Sequence, residues 1–219
     1  EIDSAIARVL SKGNYVMGEE VEAFAEEWAL ACRARYAVGV ASGSDALYLT
    51  LRFMKEVRGI KVCFTTPLTF WATTEAALRA GLVIGFTDVD LHTGCMFYER
   101  APAPVVLLPV HLYGFPSSAQ GYQHNSYLSV VEDAAHAHGS KEESGQKAGT
   151  LGNAAMFSFY PTKLITVGGE GGMITTDDPA IAEFARSFRH HGRKEDPQDV
   201  QGYRHVLMGS NFCIDEFRS

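Results

Sequence analysis

Lys163 closes the segment Phe157-Ser-Phe-Tyr-Pro-Thr-Lys163 and is followed by Val167-Gly-Gly-Glu-Gly-Gly172. Pro161 forces Tyr160 into an extended conformation and ends the strand before it, so the lysine falls in a loop at a strand end. Its neighbours are apolar residues and glycines rather than other charges. Such surroundings desolvate an amine, lower its pKa and make it a nucleophile. The glycines let a bulky group approach the backbone. A solvated loop lysine is the plainer reading of the same residues.

Two further segments carry chemistry. In Val130-Val-Glu-Asp-Ala-Ala-His-Ala-His-Gly139, Asp133 follows an apolar run, where a carboxylate is partly buried and needs a cationic partner. A helix cap is the commoner fate of an aspartate in that position. His136 and His138 stand two apart, facing opposite ways on a helix, with no HxxxH or CxxC companion, and that spacing argues against a metal site. In Ala41-Ser-Gly-Ser-Asp-Ala-Leu47 a strand pattern passes through small residues into a helical one. Free amides and a helix dipole make that turn an anion site, although any N-cap has the same composition. A phosphate cradle, a partly buried carboxylate and an activated amine, all at strand ends, are together what pyridoxal phosphate requires. Its phosphate needs the helix N-terminus, its ring nitrogen the carboxylate and its aldehyde the lysine.

The elements that must position these residues alternate between helix and strand. Ile2, Ile6 and Leu10 are spaced four apart, and Val21, Phe24, Ala25, Trp28 and Ala29 mark a second helical face. Residues 36–41 read as a strand, and Ser42 to Asp45 open a helix carrying Leu47, Leu51 and Met54. A strand at 61–65 precedes a helix from about 72 to 80, closed by Gly81. Strand-length apolar runs follow at 82–86, 105–110, 127–131, 155–159 and 172–176. A last helix spans 179–190, capped by Asp177 or Asp178. Strands separated by helices predict an α/β fold, a mostly parallel sheet with helices on both faces. Ligands of such sheets bind beyond the carboxyl ends of the strands. The polar segments 116–126 and 192–203 read as loops, the second the more mobile.

The 219 residues suffice for one large α/β domain and a buried core. The charge balance of 19 Lys+Arg against 26 Asp+Glu, net −7, leaves no basic stripe for a nucleic-acid backbone. The most apolar stretch, 105–110, is far too short to span a membrane, and Glu1-Ile2-Asp3 is unlike a signal peptide. Four scattered cysteines with no CxxC pair read as reduced thiols. These features predict a soluble cytoplasmic protein. Helical patterns run into both ends, the last from Asn211 to Ser219, so the chain reads as a fragment or as lacking a C-terminal region.

The chain resembles the nucleotide-sugar aminotransferases of the DegT/StrS group, fold-type I pyridoxal phosphate enzymes. The resemblance rests on Gly13-Asn-Tyr-Val-Met-Gly18, Gly43-Ser-Asp-Ala-Leu47, Thr69-Phe-Trp-Ala-Thr73, Asp88-Val-Asp90, Pro109-Val-His-Leu-Tyr-Gly114, Glu132-Asp-Ala-Ala-His-Ala-His-Gly139, Ser158-Phe-Tyr-Pro-Thr-Lys163 and Gly169-Glu-Gly-Gly172, in family order. It implies that residues 1–219 are the large cofactor-binding domain, with the small C-terminal domain absent or not included. It makes Lys163 the residue that condenses with the cofactor's aldehyde and then moves a proton, and pairs Asp133 with the ring nitrogen. Phe70, or Trp71 one residue on, would stack on the ring, and His136 stands where many members have Gln, near the phenolic oxygen. Ser44, Asp45 and Ser158 would bind the phosphate. Asn211 would reach the phosphate of a neighbouring subunit in a homodimer with shared sites.

The implied reaction moves an amino group from an amino acid, glutamate or glutamine, to a nucleotide-linked keto-sugar. Two rivals share the fold. One is a sugar dehydratase, one branch of which has histidine in place of Lys163, and the other a non-catalytic regulatory paralogue. A Rossmann-type nucleotide binder would need a GxGxxG that residues 41–46 do not supply. The stretch 92–104 is shorter than the family's usual helical connection.

Overall fold

The computed structural model describes residues 1–98, 104–117, 128–194 and 204–219. Its helices are α1 (Ile2–Lys12), α2 (Glu19–Cys32), α3 (Gly43–Glu56), α4 (Trp71–Arg79) and α5 (Pro179–Arg189). Its strands are β1 (Tyr36–Val40), β2 (Val62–Thr65), β3 (Val83–Phe86), β4 (Val105–Leu107), β5 (Leu128–Asp133), β6 (Ala154–Ser158) and β7 (Gly172–Thr176). They form one sheet in the order β1-β7-β6-β5-β4-β2-β3. Pairing is parallel from β3 through β6, and β7 lies antiparallel to both β6 and β1. The short segment between β6 and β7 returns as a hairpin, with Phe159 N donating to Gly171 O at 2.9 Å. This is the segment that carries Lys163.

Strand alternation divides the core between two faces. Val38, Val40, Val106, Val131, Ala154, Met156 and Ile174 pack against α3, α4 and α5. Ala37, Ala155, Phe157 and Met173 meet α2 through Ala25, Trp28 and Cys32. Helices therefore cover both faces, as the patterning predicts.

Several boundaries move. The apolar run at 105–110 forms a regular strand only through Leu107; beyond Pro109, which has no amide to donate to a ladder, pairing resumes as a parallel bridge between Val110 and Asp133. The expected strand at 127–131 starts at Leu128 and continues to Asp133, which ends the strand rather than following it; Tyr127 lies outside the described residues. Asp178 caps α5 by accepting from Ala180 N at 2.8 Å. The stretch after β3 is a turn in which the Asp90 carboxylate accepts the amides of His92 and Thr93; residues 99–103 lie outside the described residues, as do 118–127 and 195–203 of the two polar loops. The C-terminal segment, expected to begin an α-helix, is a short 3-10 turn at Glu216–Arg218 capped by Asp215. Glu216 itself is drawn to the start of α2, where its carboxylate accepts the amides of Gly18, Glu20 and Val21. All four cysteines are free. No helix of the described residues is long and apolar enough to cross a membrane.

Candidate active site

The carboxyl ends of β1, β5 and β6 and the first turns of α3 and α4 surround a cleft of about 570 Å³. Asp133, at the end of β5, is 5% exposed. Its backbone is held by the segment around Val110: Asp133 N donates to Pro109 O, and His111 N donates to Asp133 O, each at 2.9 Å. Its Oδ1 accepts from Ala135 N at 3.2 Å, so it does cap the following turn. Its Oδ2 accepts from the Thr73 hydroxyl at 2.7 Å. The carboxylate thus finds neutral donors where a cationic partner was expected, while its charge acts on Lys163 across the cleft.

Lys163 is half-buried in a turn that its own amide closes onto Tyr160 O at 2.8 Å. Desolvation holds its ammonium below the ordinary lysine pKa, opposed by the charge of Asp133. A lysine in this state is a better nucleophile than a solvated one. His136 lines the same cleft. Burial lowers its pKa, Lys163 lowers it further, and Asp133 opposes both. The two histidines part company: His138 is buried beneath the cleft among Trp28, Phe157 and Phe159, its Nε2 donating to Ser158 O at 2.9 Å.

The turn into α3 is built by close approach. A Cβ on Gly43 would lie 2.7 Å from Ser158 Cβ, and one on Gly172 would lie 2.3 Å from Ser42 O. Only glycine lets the helix N-terminus sit this tightly against β6 and β7. Ser42 caps the helix, accepting from Asp45 N at 3.1 Å and donating to Asp45 Oδ2 at 2.7 Å. The first amides of α3, those of Gly43 and Ser44, have no intrahelical acceptor and belong to residues that line the cleft with Ser158. Asp45 does not line it. Its carboxylate is engaged by Ser42, and desolvation raises its pKa against the opposing influence of that bond and of Arg79.

Phe70, the N-cap residue of α4, lines the cleft and is 74% exposed, whereas Trp71 does not line it. Asn211 is exposed, bridges to His190 and does not line the cleft of its own chain. The structure therefore brings together Ser44, Phe70, Asp133, His136, Ser158 and Lys163, and leaves Asp45 and Asn211 outside. It adds Thr69, Thr73 and His111, which stand in the quoted motifs without a role assigned to them. The two threonines flank the N-cap Phe70, Thr69 just before α4 and Thr73 in its first turn.

A model of the DegT/DnrJ/EryC1/StrS aminotransferase family matches residues 1–219. The dTDP-3-amino-3,4,6-trideoxy-alpha-D-glucose transaminase of Streptomyces venezuelae is 36% identical, over 100% of this chain and 58% of its own length. The erythromycin biosynthesis sensory transduction protein EryC1 of Saccharopolyspora erythraea is 37% identical, over 100% of this chain and 60% of its own. The chain thus spans about three fifths of those relatives. Among solved structures, NtdA of Bacillus subtilis with bound cofactor PMP superposes with a TM-score of 0.86 at 28% identity, over 99% of this chain and 50% of that one.

Proposed function

Because the chain belongs to the DegT/DnrJ/EryC1/StrS aminotransferase family, we propose that residues 1–219 form the large, cofactor-binding domain of a pyridoxal phosphate-dependent aminotransferase. It moves an amino group from glutamate or glutamine to a keto-sugar carried on a nucleotide. The observation that carries this reading is the convergence of Lys163, Asp133 and the α3 N-terminus on one cleft. The relative named a dTDP-sugar transaminase and the neighbour solved with PMP, the amine form of pyridoxal phosphate, support it. Nucleotide sugars and free amino acids are cytoplasmic metabolites, and the reading places the enzyme there.

The residues present fit the cofactor. The amides of Gly43 and Ser44 and the hydroxyls of Ser44 and Ser158 would hold the phosphate, at a turn whose close packing a Cβ on Gly43 or Gly172 would break. Asp133 would bond the ring nitrogen, Phe70 would cover the ring, His136 would face the phenolic oxygen and Lys163 would take the aldehyde. Bound there, pyridoxal phosphate supplies an electron sink for the pair left on the substrate carbon. Asp133 would hold a proton at the ring nitrogen, the Lys163 amine, freed when the amino-acid amine takes its place on the aldehyde carbon, would take the proton from the amino-acid α-carbon, and Phe70 and Leu47 would give the cleft an apolar wall. One amine serves both half-reactions, so the kinetics should be ping-pong. Adding pyridoxal phosphate to the purified protein should produce a visible absorption band that glutamate or glutamine bleaches and a nucleotide-linked keto-sugar restores. A protein that the cofactor leaves colourless would overturn the proposal.

Changing Asp133 to Asn keeps the shape and removes the charge. One charge-assisted hydrogen bond contributes about 1.5–3 kcal/mol, so cofactor affinity should fall roughly 10- to 100-fold. Turnover should fall further, because the ring nitrogen's proton matters most as carbanion character develops. Titration of cofactor into the variant and steady-state rates test both; unchanged turnover would contradict the role.

Asn211 lies outside its own cleft, which fits the proposal of a twofold homodimer in which it completes the partner's phosphate site. Mixing Lys163→Ala with Asn211→Ala subunits should then produce mixed dimers with one intact site, and activity above either parent. A residue acting in its own chain would give no gain on mixing.

A further inference from the structure

Asp133 Oδ2 is held by a chain of two hydroxyls rather than by one. Thr73, on the first turn of α4 and 1% exposed, donates to it at 2.7 Å. A threonine hydroxyl has one proton to give. With that proton committed to the carboxylate, Thr73 Oγ1 is the acceptor in its 2.7 Å contact with Thr69, and Thr69 is the donor. Thr69 itself lines the cleft, and between the two threonines stands Phe70. One helical turn therefore supplies both the apolar wall over the cleft and the anchor of its buried carboxylate. A shift of α4 would move both together.

We propose that Thr73, backed by Thr69, is a positioning residue for Asp133, fixing the direction of its carboxylate relative to the Phe70 ring. The inference rests on the reading of Asp133 as the partner of the cofactor's ring nitrogen. Threonine and valine have nearly the same shape, so Thr73→Val removes the donor while keeping the volume, and Thr73→Ser keeps the donor.

The experiment measures pyridoxal phosphate affinity by absorbance for the wild type, Thr73→Val, Thr73→Ser and Thr69→Val, and for Thr73→Val in an Asp133→Asn background. Thr73→Val should weaken binding roughly 10-fold, the size of one hydrogen bond to a charged group. Thr73→Ser should stay close to wild type, and Thr69→Val should shift affinity in the same direction by less. In the Asp133→Asn background the acceptor is neutral, so the same Thr73→Val change should cost less; residues coupled through one bond are not additive. Wild-type affinity in Thr73→Val would overturn the proposal, as would an equal loss in both backgrounds, the mark of a packing defect. A wild type that fails to bind the cofactor would overturn the reading of the site itself, before any variant is compared.

Discussion

Replacing Lys163 with alanine is expected to remove amino transfer almost completely. Proton transfer by a positioned side chain contributes roughly 10²- to 10⁴-fold, and the same amine also provides the covalent attachment of the cofactor, so the combined loss should lie at or beyond the upper end. The basis is local. Desolvation lowers the pKa of Lys163 while Asp133 opposes it, which raises the fraction of neutral amine near neutral pH without removing the lysine from its electrostatic partner. Capture of pyridoxal phosphate should therefore rise with pH through a midpoint below the ordinary lysine value. Borohydride reduction of the loaded protein followed by peptide mapping should place the label on Lys163, and the alanine variant should take none. Label on Lys61 or Lys147 instead, or an alanine variant with more than about a tenth of wild-type turnover, would displace Lys163 from this role.

How much of this was legible in the residues depends on how local each feature is. The strand at Gly172–Thr176 is a five-residue run ending in the β-branched Ile174, Thr175 and Thr176 and bounded by Gly171 and Asp177, and it forms with the expected limits. The α3 turn was readable because cap chemistry is written in consecutive residues, and Ser42 caps as such a residue should. The direction of β7 was less visible: alternation of helix and strand predicts crossovers, and only the shortness of the stretch after Ser158 signals a hairpin instead. Asp45 shows a different limit. Its position in the turn suited an anion site, but a carboxylate bonded to its own cap residue has no reason to face a second negative charge. Least legible were partners distant in the chain. Thr73 reaches Asp133 across 60 residues, and nothing about a threonine on a helix announces that its hydroxyl points into a sheet.

Glu132 is the extreme case of that limit, and its removal should have the largest effect on stability. In the sequence it is an ordinary acidic neighbour of Asp133. In the structure it is fully buried, and four donors converge on its carboxylate. Oε1 accepts from Leu151 N at 2.7 Å and Gly152 N at 2.9 Å. Oε2 accepts from Gly149 N at 2.7 Å and faces His111 Nε2 at 2.9 Å. The tautomer of His111 is fixed by its other nitrogen, since Nδ1 accepts from Ser117 N at 3.0 Å and Nε2 must carry the proton. Removing one partner of a buried, hydrogen-bonded pair costs about 3–5 kcal/mol, because the groups left behind lose both water and partner. Glu132→Ala should lower the free energy of unfolding by that amount, read as a lower urea midpoint at an unchanged slope. Glu132→Gln should also destabilise, since its amide must point two protons at N–H groups that already donate, and each orphaned donor costs about 1–3 kcal/mol. His111→Ala combined with Glu132→Ala should cost less than the sum of the two, as expected of one network. An alanine variant within about 1 kcal/mol of wild type would mean that water replaces the carboxylate without loss. Because His111 N also holds Asp133 O, the destabilised variants should bind pyridoxal phosphate more weakly even under conditions where they remain folded.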